Sequence, residues 1–312
     1  MTVSTRPFTK KKKSPGAILS KIFFWIAIAL IVLVVLAPFY WMIVSSISFQ
    51  AELAMKPPHW FPQQPTFHRY LEIIKGFTSG FSANSAAARF TRGLTNSFLV
   101  SSGTTAVCMA AGCMAAYALA KLYIPKSRGI MMAILSIQML PAVVIIIPLN
   151  LLLQRLKMID SIQGLILPYC GLMLPTVIWI MYGYFLTLPK EIEEAAMIDG
   201  CSRLRSFINV ILPISGPALM TITAYTFLNS WNEFFMAMTL TQNQTKTITV
   251  TITEFASTFG SSDYGLLATG GVIGSIPPIL IALLLQRYLV QGLTAGRSEE
   301  HTSELQSLGR IS

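Results

Sequence analysis

The sequence predicts an all-α fold, a polytopic membrane helical bundle with six transmembrane helices, and three observations support this class. Of the 312 residues, 53% are hydrophobic and only 12% are charged, whereas soluble domains carry about 25% charged residues. The mean hydropathy is +0.61. A transmembrane helix needs about 20 apolar residues, and six longer stretches contain no Asp, Glu, Lys or Arg: residues 22–51, 93–120, 129–154, 161–189, 206–232 and 264–286.

This composition argues against a soluble enzyme, a disordered chain and a nucleic-acid-binding domain. The net charge is +10, but the basic residues lie between apolar runs rather than together on a soluble face. The cysteines do not have the spacing of a metal site or a disulfide framework, and we expect no metal site; they are Cys108, Cys113, Cys170 and Cys201. No small-residue cleavage pattern follows the first apolar stretch, so we interpret it as an anchor and not as a signal peptide.

The distribution of Lys and Arg predicts the orientation, because cytoplasmic loops of membrane proteins are enriched in these residues. Six spans place both termini on one side. Up to Gly296, that side holds thirteen Lys and Arg residues, including the run Lys10–Lys13 near the first span, whereas the other side holds eight. Arg89 and Arg92 oppose this trend. We expect both termini to be cytoplasmic.

The loops divide the chain into segments whose composition differs. We expect a basic cytoplasmic N-terminus, a six-span domain, a cytoplasmic loop before the fifth span and a short cytoplasmic C-terminus, at residues 1–21, 22–286, 190–205 and 287–296. Residues 297–312 are abruptly polar, and we interpret them as a foreign tail to be excluded from the fold. A genuine polar cytoplasmic tail is the alternative.

Two external segments are long. Residues 52–92 are rich in proline and contain Trp60 and Phe61, which favours a partly helical lid at the membrane interface. The second segment comprises residues 233–263. Within it, threonine alternates with Ile and Val over Thr247–Thr253, and this alternation predicts a short extended segment.

The spans lack the groups that would let the chain power or catalyse a reaction by itself. Ionisable residues at membrane depth are costly and usually functional, and the six stretches contain none. No Gly-x-x-x-x-Gly-Lys-Ser/Thr motif occurs, so no phosphate-binding loop is indicated. We therefore expect no catalytic residues and no cofactor in this chain. Any uphill transport must draw its energy from another chain.

The cytoplasmic loop before the fifth span has the pattern of a helix, a turn and a second helix. Pro189 suits a first helical turn, and the acidic residues after it suit the positive end of a helix. Asp199 and Gly200 supply a left-handed turn that ends the helix, and Ser202 is a favourable cap for the next one. The pattern predicts a short surface helix with a smooth patch at Ala195–Ala196 and an acidic rim, a shape that suits insertion into a groove of a partner.

The same loop carries a family motif. Glu194-Ala195-Ala196, then Asp199-Gly200, then Val210 to Pro213 resemble the Glu-Ala-Ala loop of ABC-importer permease subunits, with Val210 where Ile is usual. Further stretches resemble the carbohydrate-uptake branch, specifically the smaller six-span permease of the maltose-transporter type, and they are residues 140–149, 165–168, 231–234 and 286–296. The resemblance covers about residues 15–296.

The resemblance implies the type I transmembrane-domain fold of ABC importers in a bacterial inner membrane. The helix around Glu194 would be a coupling helix, docked in a cleft of a cytoplasmic ATP-binding subunit. Glu194 would accept hydrogen bonds or a salt bridge there, Ala195 and Ala196 would permit close approach, and Gly200 would set the turn. Asp199 and Pro213 complete this coupling set.

The implied partners are a second homologous permease, two ATP-binding subunits, an extracytoplasmic solute-binding protein, the lipid bilayer and a sugar, but no nucleic acid. ATP and Mg would be bound by the ATP-binding subunits. Residues 233–263 would reach into the solute-binding protein and help to dislodge its sugar.

Polar residues in the spans are candidates for the translocation path, because a sugar is bound by hydrogen bonds and aromatic faces. These candidates are Gln138, Asn150, Asn229, Asn232 and Glu233, with Asn96 and Tyr225 as possible additions. The alternative for each is that it holds helices together or lies at an interface, which is the commoner role of such residues. Three alternatives remain open: the same permease role for a peptide, polyol or phosphorylated polyol; a stand-alone channel or secondary carrier; and an intramembrane enzyme.

Overall fold

The computed structural model describes residues 15–57, 59–78, 86–257 and 264–308, and the Lys10–Lys13 run lies outside these residues. The described residues form helices, turns and loops without any strand, so the all-α class is confirmed. The helices are α1 (Pro15–Ile47), α2 (Gln50–Leu53), α3 (His68–Thr78), α4 (Ala86–Lys121), α5 (Ser127–Ser136), α6 (Ala142–Arg155), α7 (Ile162–Thr187), α8 (Lys190–Ile198), α9 (Arg203–Ser206), α10 (Leu212–Ile214), α11 (Gly216–Asn232), α12 (Phe235–Leu240), α13 (Ile248–Ser257) and α14 (Tyr264–Leu308).

All six apolar stretches are helical, but two of them are bent. The helices α1, α4, α7 and α14 each contain a stretch that is long and apolar enough to cross a membrane. The third stretch bends by 90° between α5 and α6, and the fifth bends by 82° between residues 203–214 and α11. With each bent pair counted as one span, the described residues contain six spans. The predicted membrane helical bundle is confirmed.

Prolines account for both bends. Leu140 has an extended backbone (ψ 120°) before Pro141, which becomes the N-cap of α6, because a proline disfavours the helical conformation of the residue before it. In the fifth stretch, Pro213 follows a π-helical turn, Phe207–Ile211, and precedes the break at Ser215. Proline lacks the N–H that would bond the carbonyl four residues back, and a widened turn relieves the clash with that carbonyl.

The bundle is centred on the α4–α7 pair, with α11 against both of these helices and α14 against α1 and α11. Close approach depends on Gly112 of α4, where an added Cβ would lie 2.6 Å from Cγ1 of Val177. The small residue at this position therefore allows α4 and α7 to pack closely. Tyr117, Phe185 and Phe207 join α4, α7 and the π-helical turn in one aromatic cluster.

The prediction of an extended segment over Thr247–Thr253 is wrong, because Ile248–Ser257 forms the helix α13. Three bonds stabilise its start and its interior. The Ile248 N–H donates to Ser97 Oγ (2.8 Å), Thr251 Oγ1 donates to the Thr247 carbonyl, and Thr253 Oγ1 donates to the Val250 carbonyl. Packing against α4 and α14 therefore overrides the β preference of alternating Thr and Ile.

Candidate functional site

The helix α8 lies at the end of the bundle where α4 and α7 finish. Lys121, the last residue of α4, donates from Nζ to the carbonyl oxygen of Leu188 just after α7 (2.5 Å). The sequence suggested that Pro189 lies in the first turn of α8. In the structure it is instead the N-cap, one residue earlier (φ −57°, ψ 141°). Two of the acidic residues that follow, Glu191 and Glu193, occupy the first turn. There they are near the positive end of the helix dipole.

The turn after α8 has the geometry that the Asp-Gly sequence predicts. Gly200 has φ +87°. Its N–H donates to the Met197 carbonyl (3.1 Å), and the Cys201 N–H donates to the Ala196 carbonyl (3.0 Å). This pair of bonds is the Schellman motif, which satisfies the last carbonyls of a helix and requires a left-handed residue. The chain therefore reverses within two residues of the end of α8.

A second cap follows immediately. Ser202 Oγ accepts a hydrogen bond from the Arg205 N–H (3.4 Å) at the start of α9, as predicted. The chain then continues through the π-helical turn and α10, which contains Pro213, into the bend before α11. The motif residues from Glu194 to Pro213 thus join α8 to the fifth span.

The two faces of α8 differ in exposure. Glu191, Glu194, Ala195 and Ile198 are exposed, and Ile198 retains 86% of its accessible surface. Ala196 is buried against the bundle, so the expectation of a single exposed Ala-Ala patch is wrong. The physical reason is that consecutive residues of an α-helix point about 100° apart.

A buried hydrogen bond ties α8 to α4. The Tyr117 hydroxyl donates to Oε1 of Glu193 at 2.5 Å, and both side chains are 6% exposed. The phenol also packs against Phe207, with ring centroids 4.6 Å apart. Sequence reasoning missed this pair. Its only signal was a third acidic residue next to Glu194, which a charge pattern alone cannot assign to the buried face.

Comparisons with known proteins place this architecture in a family. Residues 108–295 match the family described as binding-protein-dependent transport system inner membrane component. The chain belongs to this family. The match includes the end of α4, all of α7, α8 and its turn, both bent spans and most of α14.

Curated relatives align with most of this permease. It is 31% identical to the sulfoquinovosyl glycerol transport system permease of Agrobacterium fabrum over 87% of the chain and 92% of that protein. It is 32% identical to the trehalose/maltose transport system permease of Thermococcus litoralis over 89% of the chain and 97% of that protein. The predicted resemblance to sugar ABC-importer permeases is confirmed.

A solved structure shares the fold of the permease. A chain of a bacterial ABC transporter involved in the import of the acidic polysaccharide alginate superposes with a TM-score of 0.75 at 22% identity. The superposition covers 89% of this permease and 99% of that chain. The ABC-importer transmembrane-domain fold, expected from the sequence, is thereby confirmed.

The structure places three of the candidate path residues around α12. Gln138 donates to Thr176 Oγ1 and lines a largely apolar cavity of about 560 Å³ at the bend between α5 and α6. Asn150 donates to the Thr239 carbonyl in α12 (3.1 Å). Glu233 accepts from the Met236 and Ala237 N–H groups and from the Tyr169 hydroxyl, so it holds the start of α12.

The other candidates lie elsewhere. Asn229 and Asn232 are exposed on α11, and Asn229 donates to the Tyr225 carbonyl one turn back. Tyr225 is also exposed. Asn96 donates to the carbonyls of Gln244 and Lys246 (2.8 and 3.1 Å), at the end of the bundle opposite α8. Asn96 therefore holds a loop in place.

A second missed residue, Asp160, organises the same loop. Its carboxylate accepts the backbone N–H groups of Gln242, Asn243, Gln244 and Thr245 at 3.0–3.2 Å, and the Thr245 hydroxyl at 2.9 Å. Partial burial alone would raise the pKa of this carboxyl, but the four N–H groups outweigh it and hold the pKa well below the usual range. Nothing in the local sequence signals the role, because the partners lie far along the chain.

Proposed function

We propose that this chain is a permease subunit of an ATP-driven sugar importer located in a bacterial inner membrane. It would form half of the translocation pathway, pair with a second homologous permease, and receive sugar from a solute-binding protein. Two ATP-binding subunits would bind ATP and Mg and supply the energy. The binding-protein-dependent family, to which the chain belongs, supports the role of such a binding protein.

The observation that carries the proposal is the two-sided construction of α8. Its exposed face presents carboxylates at Glu191 and Glu194 beside Ala195 and the exposed Ile198. A small side chain between an acidic rim and one apolar residue suits a groove with a basic edge. Its buried face is fixed to the bundle by Glu193. A force applied to the exposed face would therefore reach α4 directly.

The route from α8 into the spans supports coupling by rigid displacement. On one side, Tyr117 connects Glu193 to α4, the helix that packs most extensively in the bundle. On the other side, the Schellman turn and α9 connect α8 to the bent fifth span. Closure of two ATP-binding subunits would draw these elements together. It would thereby change the translocation cavity between the two permeases from inward-facing to outward-facing.

The class of substrate is supported by relatives along nearly the whole chain. The Agrobacterium and Thermococcus relatives carry sugar names, and so does a trehalose transport system permease of Mycobacterium tuberculosis, 32% identical over 84% of this chain. Within the structure, the cavity near Gln138 offers the side-chain amide of that residue between apolar walls. Such a surface suits a neutral sugar ring.

Glu194→Lys tests the coupling role. The substitution places a positive charge against the proposed basic groove, so the importer should still insert into the membrane but should lose ATPase binding or ATP-linked uptake. Uptake of labelled trehalose and co-purification of the ATP-binding subunits are the measurements. Glu72→Lys, the reversal of another exposed carboxylate on α3, is the control and should behave as wild type. Normal uptake by Glu194→Lys would remove the coupling assignment.

A further inference from the structure

A polar pocket of about 220 Å³ lies at the end of the bundle opposite α8. It is formed between the start of α4, the loop after α12 and α13, and its charged lining residues are Arg89, Arg92, Lys246 and Glu254. Lys246 and Glu254 form an ion pair with each other. The other two charged residues of the lining are the α4 arginines. We call it the arginine pocket.

The two arginines are placed to act together. They are three residues apart on α4, so they lie on one face of the helix. Arg92 is exposed, whereas Nε of Arg89 is buried and has no hydrogen-bond partner among the described residues. A buried guanidinium N–H without an acceptor is costly. An anion that entered the pocket would satisfy that group.

The opposite wall of the pocket is held rigidly. Asp160 fixes the backbone of Asn243 and Gln244 by accepting their N–H groups. Asn96 fixes the same loop from the α4 side through the Gln244 and Lys246 carbonyls. The loop thus receives bonds from two different elements. A pocket whose walls are held in advance loses little entropy when it binds.

We propose that the arginine pocket binds a carboxylate side chain of the solute-binding protein and so fixes that protein's position on the outer face. This inference rests on the proposed function. Guanidinium groups match the planar, bidentate geometry of carboxylates. Charge complementarity of this kind raises the association rate and determines the register of a complex.

The position of the pocket favours a protein carboxylate over that of an acidic sugar. Arg89 and Arg92 precede the apolar part of α4, and the loop residues Gln242 to Gln244 are exposed. The pocket is therefore at the surface that a docking protein would meet. The cavity near Gln138 lies instead within the bent third span. A solute in transit would use that cavity.

The test uses the assembled importer in nanodiscs of neutral lipid, and its first probe is a synthetic hexaglutamate peptide, with hexaglutamine for comparison. Hexaglutamate should bind and hexaglutamine should not, and added salt should weaken binding by screening the charges. The double variant Arg89→Glu/Arg92→Glu should weaken hexaglutamate binding by about tenfold or more. Arg155→Glu, an exposed reversal outside the pocket, should leave it unchanged. Equal binding of the two peptides, or equal loss in the Arg155 control, would overturn the proposal.

The second measurement is the concentration of solute-binding protein that half-saturates ATP hydrolysis. The double variant should raise this concentration by about tenfold and leave the maximal rate unchanged, and an acidic-to-Lys substitution on the binding protein should restore it. If the variant changes only uptake of glucuronate relative to glucose, the pocket serves an acidic sugar and the proposal fails. Absence of ATP hydrolysis in the wild-type assembly would contradict the proposed function instead.

Discussion

Asp160 and Glu193 illustrate how differently two carboxylates can be used in one membrane protein. Asp160 accepts main-chain N–H groups from four consecutive residues, so the charge is neutralised by dipoles that it orders. Glu193 accepts one phenolic hydroxyl in a buried site between α8 and α4. The first residue shapes a surface loop, whereas the second joins two helices. Neither role depends on the residue type alone, and contacts distant in sequence determine both.

Asp160→Asn should loosen the loop after α12, because an amide has one acceptor oxygen in place of two and no charge. The expected loss is roughly 1–2 kcal/mol of local stability, seen as faster limited proteolysis within residues 241–246 of the purified importer. Glu72→Gln is the matched control. Since the folded pKa of Asp160 is lowered, its contribution is complete above the unfolded value of about 3.9 and is lost as the pH falls through the folded value. The ratio of the cleavage rates of Asp160→Asn and wild type, each measured at the same pH, should therefore not vary between pH 5 and pH 8, and a change of this ratio in that window would contradict the assignment.

Tyr117→Phe should weaken the connection between α8 and α4 without disturbing the aromatic cluster. The variant leaves the buried Glu193 carboxylate without its donor, which costs about 1.5–3 kcal/mol. We expect ATP hydrolysis to persist while sugar uptake per ATP falls. Glu193→Gln combined with Tyr117→Phe should show less than the sum of the single effects. Additive effects of the two substitutions would indicate that the pair does not act as a unit.

At the scale of the element, α8 shows what local sequence can and cannot predict. Its boundaries, its Gly200 turn and the Ser202 cap follow from residues within one or two turns of each other. Its buried face does not, because the burial of Glu193 and Ala196 is determined by α4 and the π-helical turn. The same reason explains the error at α13, where Ser97 Oγ accepts the Ile248 N–H at the start of a helix whose sequence alternates like a strand.

Gly200→Val should impair assembly with the ATP-binding subunits. An added Cβ at Gly200 meets no atom within 4 Å, so the penalty comes from the left-handed backbone alone and amounts to about 1–2 kcal/mol. Gly200→Asn is the matched control, because asparagine tolerates this conformation, and it should assemble normally. Co-purification of the ATP-binding subunits is the measurement. If valine and asparagine behave alike, the positive φ of residue 200 is not needed for docking.

At the scale of the whole molecule, the charge-free stretches predict the number and order of the spans, because the cost of charge in the membrane core leaves a signal that needs no tertiary contact. The angles of the bends depend on more. Pro168 and Pro175 lie within a continuous α7, whereas the residues before Pro141 and around Pro213 break their helices. A proline therefore does not by itself determine whether a span bends, since neighbouring groups can satisfy the freed carbonyls at membrane depth. The composition of the span alone does not contain that information.

Truncation after Gly296 tests the proposed boundary between the native chain and a foreign tail. The family match ends at residue 295, although the backbone of α14 continues as a helix to Leu308. The packing of α14 against α1, α11 and α13 involves its apolar part, so removal of residues 297–312 should leave membrane yield and sugar uptake unchanged. A variant that carries residues 297–312 in scrambled order keeps only the composition of the tail. Its membrane yield and sugar uptake should equal those of the truncated chain and of the original chain. Loss of expression on truncation, with rescue by the original but not the scrambled order, would establish the tail as a working part of the permease.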